Sequence, residues 1–207
     1  MAVGSTDARA KLQLKLRELG ATQPDRSASE PHVTVTLAAA RIDLDAAAFL
    51  LESLYAAHGY RVSRLDPRSG LDLILVARQR GEAVGTLTLR ADGPAGLRAD
   101  ESYGDELAAA RALGRRACEF SRFAVAGNAA AIRALFGFAY QIVREVWEST
   151  DVFIEVNPVT WRSIAACSVS PSLRGSGRAR GSSRLRCSCD SRSPRSRRGS
   201  ARPAVAR

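Results

Sequence analysis

Short apolar segments with strand-like or helix-like spacing alternate along the first 161 residues of the chain. Residues 32–37 alternate apolar and polar positions with a period of two, which predicts a half-buried strand. Residues 71–78 form a continuous apolar run, and residues 84–90 follow after a Gln-Arg-Gly-Glu turn, so the two segments predict a hairpin. Further strand-like runs lie at 117–125 and 151–157.

Segments with helical spacing lie between these strands. Four leucines supply the apolar positions of an amphipathic helix predicted over 5–19, and the pattern of 46–58 predicts a second helix, capped by Asp43 or Asp45. A loop containing Gly93-Pro94 is predicted over 91–104, before a short helix. This alternation of helices and strands predicts an α/β domain with one mixed sheet. The remaining predicted helices are 106–113, 129–147 capped by Asn128, and one that begins at Pro158.

The net charge of +10 is unevenly distributed. Residues 162–207 contain twelve arginines and one acid, a balance of +11, so the preceding 161 residues carry a balance of −1. The basic character therefore belongs to the tail and does not indicate that the domain itself binds nucleic acid.

The cysteine content and the apolar segments limit the class further. Only Cys118 lies outside the tail, so no disulfide framework is expected, and Cys187-Ser188-Cys189 lacks the spacing of a zinc site. No stretch approaches the ~18 apolar residues of a membrane span. We expect a cytoplasmic protein with no metal site.

The strand at 117–125, ACEFSRFAV, contains two ionisable residues among apolar ones. Glu119 and Arg122 stand three positions apart, and buried charges cost several kcal/mol unless they are paired. Residues three apart point to opposite faces of a regular strand. The two side chains can share one site only if a β-bulge intervenes, and we predict such a bulge near Ser121.

Three segments resemble the catalytic core of the N-acyl amino acid synthases, which are similar to the acyl-homoserine-lactone synthases. They occur in the family's order, and the resemblance covers roughly residues 33–161. It implies a GNAT-like acyltransferase fold with a central mixed sheet flanked by helices. It also implies transfer of a long-chain acyl group from a carrier-protein thioester to the amine of an amino acid or a related acceptor. The segments are VGTLTLRADGPAGLRADESYGDEL, RRACEFSRFAV and ALFGFAYQIVREVWESTDVFIEVNP.

The resemblance also implies site residues. The strand motif E-x-S/T-R-F-A-V of the related synthases places functional residues at Glu119 and Arg122. A carboxylate can accept the proton of the attacking amine, and a guanidinium can orient an acceptor carboxylate. Backbone N–H groups of a splayed strand can polarise the thioester carbonyl. The same motif assigns Ser121 and Phe123 to substrate binding.

The donor is predicted from the junction between this strand and the next helix. Enzymes that use acetyl-CoA carry a Q/R-x-x-G-x-G/A loop there, whose amides bind the pyrophosphate, whereas residues 124–129 read AVAGNA. This difference favours acyl carrier protein as the partner, with acyl-ACP or acyl-CoA as co-substrate and no bound cofactor. An acyl-CoA-dependent GNAT transferase is the alternative enzyme.

The tail departs from the family after Arg162. Inserting one base after a codon for this arginine can turn the following sequence into RFYRRVFGFA, the continuation that the family leads one to expect. We therefore predict a one-base frameshift, which DNA sequencing across this codon tests. The domains are then 1–31, a helix and linker; 32–162, an incomplete and impaired GNAT-like domain with its last strands missing; and 163–207, a disordered Ser/Arg-rich tail. A protein that binds nucleic acid through this tail is the alternative of a different class.

Overall fold

A computed structural model describes residues 14, 32–57, 59, 72–156, 164, 178–179 and 182–188. The helices are α1 (Arg41–Ala56), α2 (Asp100–Ala112) and α3 (Ala129–Gln141), and α3 continues as a π-helix over Ile142–Val146. The strands are β1 (Val33–Leu37), β2 (Asp72–Gln79), β3 (Glu82–Ala91), β4 (Ala117–Val125), β5 (Asp151–Val156), β6 (Arg178–Ala179) and β7 (Ser182–Ser188).

The strands form one mixed sheet in the order β1-β2-β3-β4-β5-β7-β6. β1 to β4 are antiparallel neighbours, β4 and β5 are parallel, and β7 pairs with β5 and β6 in antiparallel fashion. The predicted α/β class with a mixed sheet flanked by helices is confirmed. The hairpin and the strand at 117–125 lie where the sequence predicts them.

The main core lies between the sheet and α3. Leu87 and Leu89 of β3 and Phe120 of β4 face this side, where Leu135 and Phe136 of α3 are buried against them. α3 passes very close to β3, because a Cβ on Gly85 would lie 2.9 Å from Val125 Cγ2 and 3.0 Å from Leu135 Cδ1. Glycine at this position therefore sets the distance between helix and sheet.

The opposite side of the sheet is covered by α1 and α2. Ala47 of α1 packs on Ile74 and Val76 of β2. Tyr103 of α2 lies edge-on to Phe153 of β5, with 5.3 Å between the ring centroids. These contacts leave α1 and α2 on the side that carries the polar residues of β3 and β4.

Two helices begin earlier than predicted. α1 starts at Arg41 after Ala40, which makes no side-chain cap, and Asp43 instead accepts a hydrogen bond from Arg78 at 2.8 Å. α2 starts at Asp100, so the loop before it is shorter than expected. The amide of Ala99, at the start of α2, donates to the carboxylate of Glu119, a contact from a distant strand that the local sequence does not reveal.

The tail also differs from the expectation. We predicted that the last strands are missing, yet the backbone of β6 and β7 is paired, and β7 lies along β5. Residues 184–188, RLRCS, alternate polar and apolar types, a pattern typical of strands. The prediction that the last strands are missing is therefore corrected for β6 and β7. The frameshift stays a prediction.

Other predicted segments lie outside the described residues. Of the helix over 5–19 the structure describes only Leu14, which is helical and exposed. The helix expected from Pro158 is described only at Ile164, which is helical and buried.

Candidate active site

β4 contains the bulge that the spacing of its charged residues predicts. Thr88 of β3 pairs with Ser121, and Thr86 pairs with Ala124, so two steps on β3 correspond to three on β4. Arg122 has a φ of 47°, a left-handed conformation that is uncommon for residues other than glycine. The extra residue of β4 therefore lies directly after Ser121.

The bulge reverses the alternation of side chains along β4. Phe120 and Phe123 both pack on Phe136 of α3, although residues three apart point to opposite faces of a regular strand. Glu119 and Arg122 consequently share the opposite face, below α1 and α2. This is the arrangement that a common site requires.

Four side chains on this face, together with the exposed Arg98, form what we name the charged cluster: Asp72, Arg90, Arg98, Glu119 and Arg122. The Nε of Arg90 lies 2.6 Å from Asp72 Oδ1, and Arg122 Nη1 lies 3.3 Å from Asp72 Oδ2. The side chains of Asp72 and Arg122 are only 5% and 8% exposed. One buried carboxylate thus binds two guanidinium groups.

Glu119 is buried at the start of α2. Its Oε2 accepts a hydrogen bond from the amide of Ala99 at 3.1 Å, and Arg90 is its neighbour across the β3–β4 pairing. Burial raises the pKa of Glu119, while the amides of Ala99 and Arg98 and the charges of Arg90 and Arg98 lower it in part. A carboxylate whose pKa is raised in this way is a stronger base than an ordinary glutamate, so its ionised form is suited to accept a proton.

The charged cluster has more positive than negative groups. It contains three guanidinium groups but only the carboxylates of Asp72 and Glu119. Burial lowers the pKa of Arg122, the charges of Arg98 and Arg90 lower it further, and Asp72 opposes them. The potential at this face of the sheet is therefore suited to an additional anion, such as the carboxylate of a substrate.

The cluster lies beside the place where β4 and β5 part. The parallel pairing runs from Ala117 to Phe120 of β4, and the later residues of β4 have no partner on the described part of β5. The hydroxyl of Tyr55 on α1 donates to the carbonyl of Phe123 at 3.3 Å, and that of Tyr103 on α2 donates to the carbonyl of Ile154 at 3.3 Å. Two tyrosines thus bind the two strands at the point of separation.

The start of α3 is occupied by its own cap. As predicted, Asn128 caps the helix, and its Oδ1 accepts from the amides of Ala130 at 3.0 Å and Ala131 at 3.1 Å. The side-chain amide of Asn128 donates to Gln79 Oε1 at 3.1 Å, which fixes its orientation. Amides in this first turn are the groups that would bind a pyrophosphate.

The predicted site residues do not all come together. Glu119 and Arg122 share the charged cluster, and Ser121 is half-buried opposite Thr88. The side chain of Phe123 is buried on the α3 side of the sheet, away from the cluster. The predicted roles of Ser121 and Phe123 in substrate binding stay predictions.

Sequence reasoning missed Asp72, Arg90 and Arg98. Asp72 lies near the start of the predicted strand 71–78 and Arg90 at the end of the predicted strand 84–90, where charged residues are common, so neither carries a local signal. The pairing of Asp72 with Arg90 across β2 and β3 could have indicated the cluster, but this pairing depends on the register of the hairpin.

Three further features of the described chain lie outside the charged cluster. A cavity of about 420 Å³ lies at the start of β4, where Arg111, Arg115 and Arg116 are each paired with a carboxylate. The described residues contain no group of three or more His, Cys, Asp or Glu residues arranged to hold a metal ion. No helix among them is long and apolar enough to cross a membrane.

A mixed sheet in which the parallel strands β4 and β5 separate after Phe120 defines a GNAT-like acyltransferase fold. Several solved structures have a similar fold. The N-acyl amino acid synthase FeeM from uncultured soil microbes is 20% identical with a TM-score of 0.63, over 77% of this chain and 92% of that one. The acyl-homoserine-lactone synthase LasI is 14% identical with a TM-score of 0.52, over 77% and 91%. An acyl-CoA N-acyltransferase from Pseudomonas aeruginosa is 13% identical with a TM-score of 0.52, over 76% and 100%.

The family follows from the sequence itself. The family model for the N-acyl amino acid synthase FeeM matches residues 46–162, which is more than half of the chain. The protein belongs to this family, and its function is that of an N-acyltransferase of the FeeM and GNAT kind. A search of curated proteins gave no significant match.

Proposed function

We propose that this protein moves a long-chain acyl group from an acyl carrier protein thioester to the amine of an amino acid or a related acceptor. The observation that carries the proposal is the charged cluster beside the parting of β4 and β5. A buried carboxylate with a raised pKa lies there beside a surplus of guanidinium groups. An acceptor that has both an amine and a carboxylate matches these two features.

The acceptor's carboxylate is held by the guanidinium groups. Arginine binds carboxylates with two parallel hydrogen bonds, which fixes the orientation of the acceptor as well as its position. Arg90 and Arg122 are already oriented by Asp72, and Arg98 is exposed at the rim of the cluster. The acceptor enters from this rim.

Glu119 removes the proton of the acceptor amine. The amine nitrogen attacks the thioester carbon, its proton passes to the Glu119 carboxylate directly or through a water molecule, and the carbon–sulfur bond then breaks. The proton leaves on the carrier thiol, so the products are an amide and a free thiol. General base catalysis of this type contributes about 10²–10⁴ in rate.

The side-chain cap at the start of α3 supports a carrier protein as the acyl donor. Asn128 occupies the amides of Ala130 and Ala131, which a CoA pyrophosphate would otherwise use. A carrier thioester presents its acyl group on a phosphopantetheine arm and has no free pyrophosphate. We therefore place the thioester between β4 and β5 with the carrier protein outside.

An acyl-transfer assay tests the proposal. The full chain is incubated with one long-chain acyl group as acyl carrier protein thioester and as acyl-CoA, each with a mixture of amino acids, and N-acylated products are identified by mass spectrometry. We expect N-acyl amino acids from the carrier thioester at a kcat/KM at least about tenfold above that from acyl-CoA. Equal use of acyl-CoA would support the acyl-CoA-dependent alternative, and no amide from either donor contradicts the function.

A further inference from the structure

Asp72 is the connecting residue of the charged cluster. It is the first residue of β2, its side chain is 5% exposed, and its two oxygens bind different guanidinium groups at 2.6 Å and 3.3 Å. Arg90 reaches it from β3 and Arg122 reaches it from the bulge of β4. A single carboxylate thus links three neighbouring strands.

The two arginines need such a partner. The side chains of Arg90 and Arg122 are 18% and 8% exposed, and like charges that approach each other away from water repel strongly. A carboxylate placed between them offsets this repulsion and accepts one charge-assisted hydrogen bond from each. Arg122 additionally has a left-handed backbone, so its side chain starts from a fixed and unusual direction.

We propose that Asp72 is a positioning residue that holds the guanidinium groups of Arg90 and Arg122 in the orientation that receives the acceptor's carboxylate. The inference rests on the proposed function, since it names how the same site selects its acceptor. Asp72 itself does not touch the substrate. It acts through the arginines, and its effect is confined to acceptors that carry an anion.

A comparison of two acceptors on two enzymes isolates this effect. An amino acid that the wild-type protein acylates is compared with its decarboxylated amine, on the wild type and on Asp72→Asn, at a saturating concentration of the same acyl donor. For the amino acid, we expect the acceptor KM of Asp72→Asn to rise about tenfold, the size of one lost hydrogen bond to a charged group. For the amine, the acceptor KM should change less than about twofold.

Asp43→Asn is the matched control. Asp43 also pairs with an arginine of β2, at 2.8 Å from Arg78, but it lies outside the charged cluster. This variant removes a carboxylate–guanidinium pair and should leave the acceptor KM at the wild-type value. Equal rises in KM for both variants, or for both acceptors, would overturn the positioning role of Asp72.

The outcomes separate the two proposals. No acyl transfer by the wild type contradicts the proposed function, whereas an active wild type with an unchanged acceptor KM in Asp72→Asn contradicts only this inference. If Asp72→Asn does not fold, Asp72→Glu keeps the charge and shifts it by one methylene. Positioning then predicts an acceptor KM about threefold higher for the amino acid alone, and an unchanged KM overturns it.

Discussion

On the side of the sheet that α3 covers, β3 and β4 present Leu87, Leu89 and Phe120, whereas on the other side the same strands present Arg90, Glu119 and Arg122. The apolar side is packed against a helix, so its side chains contribute to folding. The charged side holds groups that each need a partner, and its positive groups exceed its negative ones. The bulge at Arg122 separates the two sets, because it lets charged residues three apart share a face. The bulge thus allows β4 to place its apolar side chains in the core and its charged side chains in the charged cluster.

The largest effect is expected from neutralising the charged side at Glu119. Glu119→Gln keeps the size of the side chain but cannot accept the amine proton, so kcat should fall by about 10²–10⁴. Burial raises the pKa of Glu119, so its ionised form costs folding free energy at neutral pH, and the variant should not lower the melting temperature. Steady-state kinetics and thermal unfolding measure the two effects. Glu106→Gln, an exposed carboxylate on α2, is the control and should behave as wild type.

The pH dependence sharpens this prediction. The wild type needs ionised Glu119, and its raised pKa places the loss of activity at a higher pH than for an ordinary glutamic acid. The ratio of wild-type to Glu119→Gln activity should therefore fall as the pH is lowered through that range. Protonation of the amine affects both enzymes equally and cancels in the ratio. A ratio that is constant with pH would contradict the role of Glu119 as base.

Removing the ring of Phe136 tests the packing between α3 and the apolar side of the sheet. Phe136 is 3% exposed and lies against Phe120 and Phe123, with ring centroids 6.0 Å and 5.2 Å away. Phe136→Ala should lower the free energy of unfolding by about 3–5 kcal/mol, measured by denaturant titration. Tyr140→Ala on the same helix removes an exposed ring and should cost about 0.5 kcal/mol or less. Similar losses in the two variants would show that α3 is not packed as described.

A smaller effect is expected from separating helix and sheet. In Gly85→Ala the new methyl group would meet Val125 at 2.9 Å and Leu135 at 3.0 Å, which should cost about 1–3 kcal/mol of unfolding free energy. Gly137→Ala is the matched control, since nothing lies within 4 Å of its added Cβ. That helical substitution should instead stabilise the protein by about 0.5–1 kcal/mol in the same denaturant titration. A Gly85→Ala variant as stable as the wild type contradicts the close approach.

The smallest effect concerns a hydroxyl on the charged side. Thr88 is 1% exposed, and its Oγ1 has no hydrogen-bond partner among the described residues, so Thr88→Val should raise the unfolding free energy by about 1 kcal/mol. The hydroxyl of Thr86 donates to the carbonyl of Leu75 at 2.9 Å, so Thr86→Val should lower it. The two substitutions change the same atoms two positions apart on one strand. Opposite signs in denaturant unfolding support the described hydroxyl environments, and equal signs contradict them.

Much of the domain could be predicted from its sequence, because apolar periodicity reports burial directly. β4 was predicted with both of its ends, and the bulge followed from a steric argument about Glu119 and Arg122. The start of α2 could not be predicted in the same way. Its Ala99 amide is bound by Glu119, which lies 20 residues later in the chain.

Asp72 and Arg90 show why the charged cluster was only partly predicted. Counting outward from the Arg80-Gly81 turn places Asp72 opposite Leu89, yet a register shift between Ala77 and Arg78 moves it opposite Arg90. A shift of one residue exchanges the two faces of a strand. The partner of Asp72 therefore depends on a small backbone irregularity that leaves no mark in the residue types.

The pairing of β7 with β5 has a consequence for the protein's synthesis. β5 ends at Val156, but the strand that covers its free edge begins only at Ser182. At a translation rate of about 5–20 residues per second, the ribosome needs on the order of seconds to supply that strand. During this interval β5 presents an open edge to solvent, and open edges pair readily with strands of other chains.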